Sequence, residues 1–102
     1  MNFLFNVKKL NLSFNNINDE DFFEFFSNNR GFVNLKRIIL NNNRLTENIF
    51  QVFQDLELGD IYEFIGEIDL ANNMINYSCI EMIVICFQKN KNLKEINLMN
   101  NP

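Results

Sequence analysis

Five positions recur in fixed order along this chain, and they recur four times. Val7, Leu10, Leu12, Asn15 and Ile17 are followed by Leu35, Ile38, Leu40, Asn43 and Leu45. Ile65, Ile68, Leu70, Asn73 and Ile75 come next, and Leu93, Ile96, Leu98 and Asn101 close the series one apolar position short. Inside the motif the four copies align without a gap, and the steps between successive Asn residues are 28, 30 and 28. Self-similarity at such a period marks a stack of equivalent units, each burying its apolar face against its neighbours. The 102 residues then form one array over 1–102, with repeats at 7–34, 35–64, 65–92 and 93–102.

Within each copy, two apolar residues alternate with polar neighbours at the period of a strand. Strands are predicted near 8–12, 36–40, 66–70 and 94–98, stacked in parallel about 4.8 Å apart with the apolar side turned inward. The Asn ends the strand. Its carboxamide both donates and accepts, so Asn15, Asn43, Asn73 and Asn101 are expected to form a structural ladder, bonding backbone groups of their own and the next turn. Helices are predicted near 20–29, 47–57 and 78–89. Apolar residues lie seven and ten positions after each ladder Asn: Phe22 and Phe25, Phe50 and Phe53, Ile80 and Ile83. Asp19, Glu20 and Asp21 suit a helix N-terminus, and Ser78 and Glu81 have capping-box spacing. The aromatic stripe that includes Phe26 reads as core packing.

The motif matches L-x-x-L-x-L-x-x-N-x-L, and the chain resembles the leucine-rich repeats. Repeats of 28 to 30 residues with a full helix resemble the ribonuclease-inhibitor-like subclass, from Val7 to Pro102. The resemblance implies an α/β fold: a right-handed leucine-rich-repeat solenoid with a parallel concave sheet of about four strands and convex helices. Asp21 stands where that subclass often has a small residue, and the second repeat is longer around Leu58, Gly59 and Asp60. The resemblance also implies a protein–protein interaction or scaffold module within an intracellular assembly. A regulator of an enzyme, such as a GTPase activator of the Ran type, would work from Asn16, Asn42 and Arg44 beside the strand ends. A fragment of a larger receptor or actin-capping protein is a third reading.

Outward positions follow from the alternation. They are Lys9, Asn11 and Ser13, then Arg37, Ile39 and Asn41, then Glu67, Asp69 and Ala71, then Glu95, Asn97 and Met99. This concave face runs from basic to acidic, with Arg37 expected beside Glu67 and with Ile39 and Met99 expected as exposed apolar contacts. Lys9, Asn11, Arg37, Ile39, Glu67, Asp69, Glu95, Asn97 and Met99 are therefore the candidate residues for binding a protein partner.

Other functions find little support. No His is present to serve as a general base, and three Gly form no phosphate loop. Glu67 and Asp69 on one strand face lack further metal ligands, so no metal, cofactor, small-molecule substrate or catalytic residue is expected, and the chain is not read as an enzyme. At net charge −4 with dispersed Lys and Arg, adjacent only at Lys8–Lys9 and Lys36–Arg37, nucleic-acid binding is not expected. Met1 to Leu10 lacks a signal-peptide pattern and Met82–Phe87 is too short to span a bilayer. Cys79 and Cys86, two helical turns apart, read as free thiols in a reducing, cytoplasmic compartment. The sequons at Asn11 and Asn76 read as chance matches in an Asn-rich chain. Neither end shows a polar cap. Apolar layers near Phe3 and Phe5, and near Ile96 and Leu98, are expected to be open, which points to a longer parent chain or a constitutive partner.

Overall fold

The computed structural model describes residues 6–57, 64–76, 78 and 80–102. Phe3 and Phe5, the insertion at Leu58, Gly59 and Asp60, and Tyr77 and Cys79 lie outside the described residues. Strands and helices alternate: β1 (Lys9–Asn11), α1 (Asp19–Asn28), β2 (Arg37–Ile39), α2 (Ile49–Asp55), β3 (Glu67–Asp69), α3 (Ile80–Lys89) and β4 (Glu95–Asn97). The strands form one sheet in chain order, every pair parallel. Leu10, Ile38, Ile68 and Ile96 share one row of the register, so equivalent motif positions stack. Each strand is shorter than the alternation predicts, although backbone bonds continue past its end. Leu12 N–H donates to Ile39 O at 2.8 Å, and Leu40 N–H donates to Asp69 O at 2.8 Å.

Local chemistry starts the helices. Asn18 caps α1: its side chain accepts from Asp21 N–H at 2.8 Å, and the Asp21 carboxylate accepts from Asn18 N–H at 3.1 Å. This reciprocal pair satisfies donors that the first turn leaves without partners. Asp19 joins α1 to the next repeat, because its carboxylate accepts from both the backbone N–H and the hydroxyl of Thr46. Thr46 in turn accepts from Asn48 N–H just ahead of α2. Where a box was predicted at Ser78 and Glu81, the described bond is Ser78 N–H to Asn76 Oδ1 at 2.9 Å.

The core lies between the sheet and the helices. Ile38, Leu40, Ile68 and Leu70 are buried from the strands, and Phe22, Phe26, Phe50 and Phe53 from the helices. The rings of Phe22 and Phe26 lie 4.5 Å apart between centroids, and Phe22 meets Phe53 edge-on at 5.5 Å. In the third repeat the predicted register holds at Ile83, which packs against the core beside Met82 and Cys86, and fails at Ile80, which is 65% exposed. The cause is where each helix begins. The position seven after the ladder Asn is the fourth residue of α1, the second of α2 and the first of α3, so it rotates out of the core in the last. Ile96 and Leu98 are half-buried against the core rather than open.

The Asn column closes the strand-to-helix turns. Asn43 and Asn73 are buried. The Asn43 amide donates to Leu12 O and Leu40 O at 3.0 Å each, while its carbonyl accepts from Asn15 N–H at 3.0 Å and Ile17 N–H at 2.9 Å. Asn73 donates to Leu40 O and Leu70 O and accepts from Leu45 N–H. Asn101 donates to Leu70 O and Leu98 O and accepts from Ile75 N–H. These bonds join each turn to the preceding one, not the next. The reason is the stacking order: a carboxamide pointing back over the sheet meets the turn already laid down. Asn15, with no described turn behind it, donates only to Ser13 O and stays exposed.

Candidate interaction face

The outward side chains form three columns across the sheet. The first sets Lys9, Arg37, Glu67 and Glu95 in register, and the second sets Asn11, Ile39, Asp69 and Asn97. Ser13, Asn41, Ala71 and Met99 follow at the strand ends. In the first column Arg37 Nε lies 3.3 Å from Glu67 Oε2, both side chains about half exposed. An exposed pair of this kind contributes about 0–1 kcal/mol. Glu95 stands directly beside Glu67 on the next strand and has no cation of its own among the described residues.

The second column has a structural duty that the alternation does not disclose. Asn11 Oδ1 accepts from Ser13 N–H at 3.0 Å, Asp69 Oδ1 from Ala71 N–H at 3.3 Å, and Asn97 Oδ1 from Met99 N–H at 3.0 Å. Each short polar side chain thus caps its own strand end through a local two-residue bond. Ile39 cannot do so. Nor is it exposed as expected: only 8% of its surface is accessible, because Asn11 and Asp69 flank it on the neighbouring strands. Ala71 is buried as well, while Met99 remains 66% exposed. The apolar contact available on this face is therefore at Met99.

Asn16 and Asn42 have positive φ, 55° and 58°. Arg44 is exposed beside them, its N–H bonded to Ile17 O at 2.8 Å. The residue before each ladder Asn shares the left-handed conformation: Phe14 at 59°, Asn42 at 58°, Asn72 at 57° and Asn100 at 59°. Asn tolerates this region, and its presence at that place in three copies was the sequence signal that could have revealed the turn. Among the described residues no group of three or more Cys, Asp, Glu or His could hold a metal. None of the described helices is long and apolar enough to cross a membrane. Cys86 is a free, buried thiol whose pKa is pushed by burial from 9.0 to about 11.

A parallel sheet in chain order, with a helix in each connection, defines an α/β solenoid. The Leucine Rich Repeat family model matches residues 6–29 and 34–56, which carry β1, α1 and most of the second repeat. The chain has the fold of a leucine-rich-repeat solenoid, and β3 and β4 extend the same sheet in the same register beyond the matched residues. No curated protein matches the sequence. Domains of this family generally mediate protein–protein interaction.

Proposed function

We propose that the chain is a protein-binding module whose partner seats on the concave face. The observation that supports this most directly is the pairing of Glu67 with Glu95. Like charges directly across neighbouring strands destabilise a sheet, and Arg37 neutralises only Glu67. Asp69 adds a third carboxylate one residue-pair along the strand. A partner that brings Lys or Arg to this half of the face relieves the repulsion, and Met99 offers it an apolar contact at the sheet's end. Lys9 at the opposite end of the column gives the face a direction, which sets the orientation of a complementary surface.

On this reading the molecule binds and does not catalyse. The absence of His removes the commonest proton-transfer group. The ten-residue helices α1 and α3 suit the ribonuclease-inhibitor-like type of array, and the unpaired thiol of Cys86 suits a reducing, intracellular setting.

Comparative capture tests the face. The bait is the whole chain in three forms: wild type, Asp69→Asn with Glu95→Lys, and Glu24→Lys with Asp55→Lys on the helices. Asn is chosen at 69 because it keeps the strand-end acceptor that Asn11 and Asn97 supply. A specific partner is expected on the wild type and on the helix variant, and lost from the concave variant. The same proteins retained by all three baits would overturn the assignment.

A further inference from the structure

The second motif position forms a column of its own: Lys8, Lys36, Gly66 and Lys94. Backbone bonds hold these four in line. Lys36 N–H donates to Lys8 O at 2.8 Å, Gly66 N–H to Lys36 O at 2.9 Å, and Lys94 N–H to Gly66 O at 2.8 Å. The lysines are exposed at the edge where the strands begin. Gly66 has no side chain to continue the row, and a Cβ there would sit 3.3 Å from Asn92 O. The result is an open cleft of about 490 Å³ between Lys36 and Lys94, with Gly66 in its floor and Phe64, 46% exposed, in its wall. Arg37 and Glu67 also line it but neutralise each other at 3.3 Å. Lys36 and Lys94 make no ion pair among the described residues.

We propose that this cleft is a second binding site, which takes an acidic segment of a protein partner with an apolar side chain between two carboxylates. The two free ammonium groups rise from strands two spacings apart, about 9.6 Å at the backbone. At that spacing, with Phe64 lining the same cleft, they match two separated anions better than a single phosphate. An extended peptide places residues i, i+2 and i+4 on one face, and acid, apolar and acid at those places meets Lys36, the Phe64 wall and Lys94 in turn. The segments that lead from helix to strand carry Arg30 and Lys91 but also Glu57, Asp60 and Glu63. The attraction for an anion therefore rests on Lys36 and Lys94 themselves, while Asp19, Glu20, Asp21 and Glu81 lie in the first turns of α1 and α3, at the other end of the helices. The site borders the first column of the concave face at Arg37 and Glu67 but is built on Lys36 and Lys94 at the strand starts, and its occupancy does not depend on that face having a partner.

Titration of the ¹⁵N-labelled chain with the peptide Ac-Glu-Ser-Phe-Ser-Glu-amide at low salt tests the proposal. Saturable shifts are expected at the amides of Lys36, Gly66, Glu67 and Lys94, weakening as salt screens the charges. Lys36→Gln with Lys94→Gln should weaken binding roughly fivefold, the scale of two exposed charge pairs. Arg44→Gln with Lys89→Gln, the same change in net charge outside the cleft, should alter it less than about twofold. An equal loss in both variants would show a diffuse field and overturn the site. So would shifts confined to the concave face, or no shifts at all. Displacement of the peptide by inorganic phosphate, or by a ten-residue oligothymidylate, at a lower concentration than the peptide itself would also overturn the choice of ligand.

Discussion

Replacing Asn43 with Ala removes a carboxamide that joins two turns, and its cost can be counted group by group. Its amide bonds Leu12 O and Leu40 O, and its carbonyl takes Asn15 N–H and Ile17 N–H. Leu40 O keeps the bond from Asn73, and Asn15 is exposed, so water replaces its lost partner. Leu12 O and Ile17 N–H remain, both on half-buried residues. At about 1–1.5 kcal/mol for each group left unsatisfied, Asn43→Ala should cost about 2–3 kcal/mol. Asn15→Ala gives up one exposed bond to Ser13 O and should stay within about 0.5 kcal/mol. Asn101→Ala strands the N–H of fully buried Ile75 and should cost about 2 kcal/mol. Urea melts of the three variants check the order. If Asn15→Ala lost as much as Asn43→Ala, the directionality of the column would be wrong, and the bonds drawn here would not carry the stability assigned to them.

Three further outcomes are expected. Phe14 is 76% exposed at a φ of 59°. Phe14→Asn should therefore raise the urea midpoint by about 0.5–1 kcal/mol in stability, and Asn42→Ala at 58° should lower it by about 1 kcal/mol, both from left-handed strain; no change in either would discount that strain. Phe50→Ala should cost about 3–5 kcal/mol and Ile80→Ala less than about 0.5 kcal/mol, although both lie seven residues after a ladder Asn; thermal or urea melts decide. Burial holds the Cys86 thiol neutral up to about pH 11 in the fold, while an unfolded thiol ionises near its ordinary value of 9.0. That stability is present in full below pH 9 and lost as pH rises toward 11, by up to about 1.4 kcal/mol per unit. Wild type minus Cys86→Ala, melted at pH 8, 9 and 10, should show the decline, and a flat difference would contradict it.

Most of the architecture was legible because a repeat reports one decision four times. Leu10 alone says little, but Leu10, Ile38, Ile68 and Ile96 in phase define a strand position, and the sheet register places all four in one row. The helices were less legible. Their lengths and starting points vary from repeat to repeat, since a solenoid fixes the strand spacing while each convex segment needs only to cover it. Ile80 and Phe50 have the same offset from the ladder and opposite environments, because α3 begins one residue later than α2 in that frame. The direction of the Asn bonds was hidden for another reason. A carboxamide can reach either neighbouring turn, and the motif is symmetric to that choice.

The surface was the hardest part to read, and the second column shows why. Asn11, Asp69 and Asn97 are polar, outward and regularly spaced, which in sequence looks like a row of contacts awaiting a partner. In the fold each spends one oxygen on its own strand end. Polar type and orientation therefore overstate the part of this column that is free to bind. The first column carries no such duty. Lys9, Arg37, Glu67 and Glu95 make no bond to the turn, and what remains there is a charge pattern with one internal pair and one unanswered carboxylate. A residue with two roles also confounds a mutation: Asp69→Ala would remove a charge and a cap together, so weakened binding could follow from a loosened strand end. Asp69→Asn separates them, and if the concave face recognises charge, that isosteric change should weaken the partner while leaving the urea midpoint within about 0.5 kcal/mol of wild type. A partner indifferent to Asp69→Asn but lost from Asp69→Ala would place the column's importance in the turn it holds and not in the charge it shows.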